Sequence, residues 1–493
     1  MQFFIKQLCD NFNIFNKNIA FNIEEQEFTY YELGLRVSAI QKELAKHAEE
    51  QYFAVVTRNH IDTFAAIFAL WISGKTMVPI SASNPQERNA YIIKSVEINT
   101  IFDASDERLQ FENSQTIYTS ALANNGSLPN YIETDKETDL YILFTSGSTG
   151  LPKGVRITQN NLNAYLNAFF SCGYQITPTD RCIEVFDLTF DASVQCYTFP
   201  LLKGASVHTL PENGIKFLSI LKILQTHRIT FIKMTASAIF YLQKYFDQIN
   251  LPFLRYCLFG AEAFPVDLVK RWEQCIPNAE IHNVYGPTEA TINCTYYPWE
   301  RGTFNKSKNG IASIGKPYLK MNAIICDQNL EPVPHGQKGE LCISGPQVTK
   351  GYWKNNENNL FAFFEKELHG IAHRFYRTGD LCIKDSDGDI FFLGRIDSQV
   401  QIDGHRVELG EIEHYAHLYS GVKTVAIASG NTGIQNQITL FVESKNIDKQ
   451  ELTSYLKDKL PIYMVPSKII GLEQIPLLIS GKTDRVQLKK LIK

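Results

Sequence analysis

The run Leu143-Phe144-Thr145-Ser146-Gly147-Ser148-Thr149-Gly150-Leu151-Pro152-Lys153-Gly154 passes from apolar residues into a loop of hydroxyls and glycines that carries one lysine. Residues 140–144 read as a strand and 145–154 as the turn after it. Glycines let backbone N–H groups approach a polyanion, hydroxyls donate further hydrogen bonds, and Lys153 adds a positive charge. That is the chemistry of a phosphate cradle. It is not a Walker A loop, which counted from Gly147 would need glycine where Pro152 stands. Taken alone, the run also reads as an ordinary glycine-serine turn ahead of a helix.

Working outward, the apolar pattern alternates between short runs and helical stretches. Residues 28–48 predict an amphipathic helix opening at Thr29, with Glu32 as its capping-box partner. Strands are expected at 53–57, 76–80 and 100–102, with helices at 62–73 and 85–96 between them. A second series places strands at 181–186, 206–209, 231–234, 256–259 and 280–283, with helices from about 193 and over 217–227. Such alternation implies parallel sheets covered by helices, an α/β architecture. From about Ile311 short strands lie between Gly and Pro turns (323–326, 339–344, 389–393), which predicts a small antiparallel or barrel-like unit. The last stretch has strands and helices of its own, of α+β character. The main boundary is placed at Asp397, giving a large N-terminal domain over 1–396 and a small C-terminal domain over 397–493. The Asn-rich patches 11–18 and 355–359 are expected to be polar loops.

The chain has 493 residues, 44% hydrophobic and 20% charged, enough for two to four domain-sized units with ample core. A net charge of −4 supplies no basic field for nucleic acid or a membrane surface. No apolar run is long enough to span a bilayer, and the first residues lack the order of a signal peptide. Ten cysteines occur singly, which predicts reduced, mostly buried thiols and a cytoplasmic protein. His414 and His417 share a helix at 410–418, but no third metal ligand accompanies them.

Four further pieces accompany the loop at 145–154. Asn283-Val284-Tyr285-Gly286-Pro287-Thr288-Glu289 follows a strand and ends in a carboxylate. Tyr376-Arg377-Thr378-Gly379-Asp380-Leu381 sets an aspartate after a tight turn, and Gly394-Arg395-Ile396-Asp397 follows another strand. Ser480-Gly481-Lys482-Thr483-Asp484-Arg485 carries a lysine on a loop near the C-terminus. Each alone has a turn or surface reading. Together and in this order they resemble the adenylate-forming superfamily, more narrowly the adenylation domains of nonribosomal peptide synthetases and the D-alanine–carrier-protein ligases. Segments 28–33, 74–80, 339–345, 351–353 and 460–466 match further motifs, so the resemblance covers nearly the whole chain.

The resemblance implies two half-reactions. A substrate carboxylate attacks the α-phosphate of ATP and releases pyrophosphate, and a thiol then displaces AMP to give a thioester. Thr145, Ser146, Gly147, Ser148, Thr149, Gly150 and Lys153 would hold the β- and γ-phosphates. Thr288 would contact the α-phosphate, and Glu289 would help hold Mg²⁺. Tyr285 would lie against adenine, with Asn283, Gly286, Pro287 and the loop Gly260-Ala261-Glu262 along the base. Asp380 would accept from the ribose hydroxyls, and Gly394 and Arg395 would lie beside them. Lys482 would bridge the substrate carboxylate and the nucleotide as the two anions meet. Asp397 matches the hinge of a mobile C-terminal domain. Gly404 matches the loop lining the thiol tunnel, where Asp403 and His405 stand in place of the family's more usual basic or aromatic residues.

By the same matching, Asp191 would pair with a substrate ammonium, which a buried site must neutralise. The rest of the amino-acid pocket would be Ala192, Gln195, Ser237, Leu258, Gly260, Val284, Ile292, Asn293 and Lys482. Gln195, Ser237 and Asn293 make it polar and favour L-glutamine or a similar polar amino acid. The alternatives are a small amino acid such as D-alanine, or an acyl- or aryl-coenzyme A ligase on the same fold. The sequence ends eleven residues beyond Lys482, so the thiol is expected from a separate phosphopantetheinylated carrier protein or from coenzyme A.

Overall fold

The computed structural model describes residues 4–105, 111, 113–124, 126–147, 151–397, 399–430, 437–477 and 483–492. Ser148, Thr149, Gly150 and Lys482 lie outside them.

Two helix-covered sheets make up most of the chain. In the six-stranded sheet, Tyr52–Thr57 runs parallel to Thr76–Ser81 and Thr100–Asp103, and Asp139–Thr145 joins beside Thr76–Ser81. The nine-stranded sheet has a parallel centre in the order Ser206–Thr209, Arg181–Glu184, Phe231–Met234, Tyr256–Phe259 and Glu280–Tyr285. These strands are Val-, Ile- and Phe-rich because helices cover both faces. The helix Ile61–Ile72 is buried at every residue, with Asp62 of its first turn paired to Arg36 at 2.6 Å, and one apolar core includes side chains from both sheets. The expected capping box is present: Thr29 caps Tyr30–Leu44 and Glu32 returns the bond.

Three expectations need correction. The 145–154 turn does not lead into a helix. It closes an antiparallel pair of Asp139–Thr145 with Lys153–Thr158, and the helix Gln159–Ser171 begins only after that second strand. Residues 11–14 belong to the helix Phe4–Ile14, where Asn11 is buried and donates to the Leu201 carbonyl at 2.8 Å. Asn355 caps a short helix, Asn356–Ala362, so that patch is also not a plain loop.

The expected antiparallel unit is a five-stranded sheet that includes Asn322–Cys326, Lys338–Ser344, Ile371–Lys384 and Ile390–Arg395. Beyond it come a hairpin of Gln399–Ile402 with His405–Glu408, the helices Leu409–Ser420 and Lys449–Lys459, and a three-stranded sheet. These elements bury a core of their own around Val407, Ile412, Leu440 and Leu456. The described cysteines are all free thiols, and every one but Cys172 is buried. No helix of the described residues is long and apolar enough to cross a membrane.

Buried ion pairs dock the C-terminal elements, and Arg88 with Glu411 is one of them. Arg88 Nη1 meets Glu411 Oε1 at 2.8 Å, with side-chain exposures of 6% and 1%. Removing one partner of such a pair leaves an uncompensated charge, at a cost of about 3–5 kcal/mol. Arg88→Ala should therefore lower the denaturant midpoint and expose the junction to proteolysis. An unchanged midpoint and digestion pattern would show that this contact does not hold the two parts together.

Candidate active site

The residues singled out from the motifs gather where parallel strands end. Asp191 follows the strand Arg181–Glu184, Gly260 directly follows Tyr256–Phe259, and Gly286 directly follows Glu280–Tyr285. The carboxyl ends of parallel strands are where open α/β sheets bind ligands.

In the phosphate turn, a Cβ on Gly147 would fall 1.9 Å from the Leu151 carbonyl oxygen, so only glycine fits. Ser146 Oγ donates to the Arg406 carbonyl at 3.0 Å and accepts from the Glu408 N–H at 3.2 Å. The Gly147 N–H donates to Glu411 Oε2 at 3.3 Å. The hydroxyl and N–H read as phosphate donors are thus engaged by the C-terminal hairpin and helix. Thr145 Oγ1 donates to the Lys153 carbonyl at 3.5 Å, and Lys153 Nζ stands 5.5 Å from the Tyr352 ring centre.

Glu289 is fully buried and carries a cation on both oxygens. Arg406 Nη1 approaches Oε2 at 2.9 Å and Oε1 at 3.1 Å, and the Tyr352 hydroxyl donates to Oε1 at 2.8 Å. Burial pushes this carboxyl up, but the guanidinium and hydroxyl outweigh it and hold it below the usual range. As a hard oxygen donor the Glu289 carboxylate would suit Mg²⁺, which would have to displace Arg406 from it.

Beside it lies a cleft of about 370 Å³, lined by Ala261, Glu262, Asn283, Tyr285, Gly286, Pro287, Asp380, Gly394, Arg395 and Asp397 among others. Tyr285 donates its hydroxyl to Asp380 Oδ2, and Arg395 Nη1 donates to Oδ1 at 2.7 Å. Arg395 also donates to Asp397 from Nε at 2.9 Å. Both Asp380 oxygens therefore have partners that ribose hydroxyls would have to displace or share. Asn283 turns its amide to the Ser313 carbonyl, 2.9 Å away.

The helix Asp191–Leu201 sets Asp191, Ala192 and Gln195 at its start, and the i, i+4 spacing puts the carboxylate and the amide on one face. Asp191 Oδ2 accepts the Ile292 N–H at 3.3 Å. Burial raises Asp191 to about 6, opposed by Lys233 and the Thr288 hydroxyl. Thr291 and Ile292 both take left-handed backbone, φ 56° and 71°, which β-branched residues resist. Bonds from Thr291 Oγ1 to the Gln347 carbonyl at 2.5 Å, and from Gln347 Nε2 to the Asn293 carbonyl at 2.7 Å, hold that strained pair. Leu258, Val284 and Ile292 are buried in the same apolar core, and a Cβ on Gly260 would come 3.1 Å from Val284 Cγ2.

Ser237 stands apart from this group. Its hydroxyl donates to both Glu262 oxygens at 2.7 Å and faces a separate cavity of about 150 Å³ that Thr235 and Asp403 also line. The residue that joins Gln195 and Asn293 is Lys233, whose Nζ donates to Gln195 Oε1 at 2.8 Å and Asn293 Oδ1 at 3.1 Å. The sequence pattern places the strand 231–234 but assigns this lysine no role. A charge in a strand that helices cover on both faces is the signal that could have found it.

Gly404 sits at the hairpin tip with φ 84°, and a Cβ there would come 2.6 Å from Thr235 Cγ2. His405 stacks on Tyr463 at 4.1 Å, and burial pushes its imidazole down to about 4. His417 bonds the Val422 carbonyl at 2.8 Å. Among the described residues, the acidic group that could hold a metal is Asp385, Asp387 and Asp389, and Lys306 Nζ already lies 2.7–2.9 Å from all three.

Residues 11–353 match the family model described as AMP-binding enzyme. Over 482 residues the chain is 30% identical to gramicidin S synthase 1 of Brevibacillus brevis, covering 96% of this chain and 43% of that protein. Over 480 residues it is 30% identical to tyrocidine synthase 3 of Brevibacillus parabrevis, covering 95% and 7% respectively. The chain thus spans less than half the length of these relatives. Among solved structures, the Vibrio cholerae adenylation domain AlmE in complex with glycyl-adenosine-5'-phosphate aligns with a TM-score of 0.87 at 24% identity, over 99% of this chain and 97% of that one. Holo-PA1221, an NRPS protein containing adenylation and PCP domains, aligns with a TM-score of 0.87 at 22% identity, over 99% and 84%. At these identities the likeness to both structures is one of fold.

If Asp191 receives an ammonium group, protonating it removes the counter-charge. The KM for an amino acid in ATP–pyrophosphate exchange should then climb about tenfold per pH unit below about 6. Asp191→Asn should raise KM at every pH and abolish that limb. A wild-type KM constant from pH 7.5 to 5 would exclude the role.

Proposed function

The chain belongs to the AMP-binding enzyme family, and from that membership we propose that it activates an amino acid with ATP and passes the acyl group to the phosphopantetheine thiol of a carrier protein. In the first step a substrate carboxylate oxygen bonds to the α-phosphorus, and the bond to the bridging oxygen of pyrophosphate breaks. In the second, a thiolate bonds to the carbonyl carbon and the bond to AMP oxygen breaks.

Charge decides the roles. The turn 145–153 and Thr288 supply N–H, hydroxyl and ammonium groups to the phosphates, where stabilising developing negative charge is the main catalytic lever. Glu289 would hold Mg²⁺, which when bound neutralises phosphate charge. Asp380 and Arg395 bind the ribose side, and Lys482 brings a cation to the meeting carboxylate and phosphate. Residues 397–493 move as a unit about Asp397. In the arrangement described, the hairpin with Gly404 faces the site, which fits the thiol-accepting half of the cycle.

The observation that carries the amino-acid part is Asp191, a largely buried carboxylate beside Thr288 whose cationic neighbour among the described residues is a lysine deeper in the pocket. An acyl- or aryl-coenzyme A ligase has no use for that charge. The glutamine reading loses one of its three polar residues, since Ser237 is bonded to Glu262. A small amino acid such as D-alanine draws support from the likeness to AlmE, whose complex holds a glycyl adenylate. Likeness to a protein containing adenylation and PCP domains supports a carrier as the acceptor.

ATP–pyrophosphate exchange across the common amino acids tests this reading. Exchange that depends on an amino acid is the expected result, and exchange only with fatty or aryl acids would replace it by the ligase alternative. Lys482→Ala should lower exchange by about 100-fold or more while ATP affinity stays within about threefold. Exchange at the wild-type rate would remove Lys482 from the chemistry.

A further inference from the structure

Lys233 is out of place for a structural residue. It lies in the strand Phe231–Met234, with strands on both sides, and is 2% exposed among Phe231, Ile232 and Met234, each at 1% or less. A buried ammonium is normally matched by a carboxylate. Here Nζ donates to two neutral oxygens, Gln195 Oε1 and Asn293 Oδ1, and among the described residues no carboxylate forms an ion pair with it. Burial lowers the ammonium only to about 8, so it remains charged at neutral pH.

A second observation points the same way. Gln195 is fully buried, and among the described residues its Nε2 has no hydrogen-bond partner. The amide cannot turn round to mend this, because Oε1 already accepts from both Lys233 and Asn293 Nδ2, the latter at 3.1 Å. Once a substrate ammonium occupies Asp191, this buried cluster therefore holds a positive charge with no counter-charge and a surplus N–H donor. Of the other titratable groups acting on Lys233, Cys196 and Glu184 do not cancel the charge. Burial drives the Cys196 thiol and the Glu184 carboxyl upward towards their neutral forms, and Glu184 is already bonded to the Phe186 N–H at 2.6 Å. Asp191 stands at the ammonium end of the pocket, and it and Lys233 act on each other electrostatically.

Resting on the amino-acid-activation reading above, we propose that Lys233 is the specificity-determining residue of this pocket and that the substrate has an acidic side chain, of the aspartate and glutamate class. A side-chain carboxylate offers Lys233 a full counter-charge and gives Gln195 Nε2 an acceptor. A carboxamide brings one acceptor oxygen and adds an NH₂ to a cluster already rich in donors. A methyl group or hydrogen leaves both surplus groups unmet, and a site with unpaired buried polar groups discriminates strongly against such ligands. An acidic amino acid also sets its ammonium at Asp191 and its carboxylate at Lys233, so each buried charge meets its opposite. Gly260 assists by leaving room for the lysine stem, since a Cβ there would lie 3.3 Å from Lys233 Cε.

The test is ATP–pyrophosphate exchange with aspartate, glutamate, asparagine, glutamine, glycine and D-alanine, on the wild type, Lys233→Met and Lys233→Arg. One of the two acids should exceed its own amide by at least about tenfold in kcat/KM. Lys233→Met should cost that acid about 100-fold, mostly in KM, and bring the acid-to-amide ratio to one or below. Lys233→Arg should keep part of the preference for the acid. ATP affinity of each variant, measured by calorimetry, checks that the fold survives. Glycine, D-alanine or an amide as the best wild-type substrate would overturn this proposal and leave amino-acid activation standing, as would an acid preference that survives in Lys233→Met. Exchange with none of the six, nor with any other amino acid, would overturn the activation reading and this proposal with it.

Discussion

A carboxylate sealed away from water needs a cation, and the contact between Glu289 and Arg406 meets that need across the junction of the two parts of the chain. Glu289 lies in the short turn Thr288–Ala290 of the N-terminal elements, and the guanidinium comes from the C-terminal hairpin. Magnitudes show which contacts set the docking. A buried pair such as this one, or Arg88 with Glu411, leaves about 3–5 kcal/mol unmet when broken. The peripheral pair of Lys459 with Glu87, whose carboxylate is 70% exposed, contributes about 0–1 kcal/mol. Ser146 and Gly147 follow the buried pairs, bonding the same hairpin and helix. The position of the C-terminal elements is thus set by charges inside the site more than by surface contacts.

The sheet explains why so many chemical groups converge. Neighbouring parallel strands carry groups of the site at or near their carboxyl ends: Asp191 after one, Lys233 within the next, then Gly260 and Gly286. Helices on both faces exclude water, so the few polar groups left inside interact strongly. The Asp191 carboxyl near 6 and the Lys233 ammonium near 8 are two results of that dryness.

Much of this is legible without coordinates. Thr29 and Glu32 announce a capped helix, and the apolar runs at 231–234 and 256–259 announce buried parallel strands. What the sequence hides, it hides for physical reasons. Lys153–Thr158 is a strand of mixed polarity that opens with Lys-Gly just after Leu-Pro, so punctuation conceals the ladder with Asp139–Thr145. Asn11 lies in a helix because its amide is satisfied by a carbonyl 190 residues away, a contact no local pattern reveals. The hydroxyl of Ser237 suggests a pocket residue, whereas its position at the start of the helix Ala236–Leu242 turns it to Glu262. Lys233 is visible as a lone charge in an apolar strand, but the strand pattern alone gives no reason to separate it from its neighbours.

The left-handed turn at Thr291 and Ile292 has one more consequence. Two β-branched residues in that conformation hold about 1–3 kcal/mol of strain each, and the bonds through Gln347 that restrain them are made to main-chain carbonyls. The direction of side chain 293 is therefore set by backbone geometry, independent of which residue occupies the position. Evolution or an engineer can rewrite the chemistry at 195, 233 and 293 as a set and inherit the same rigid frame, so selectivity here is separable from architecture.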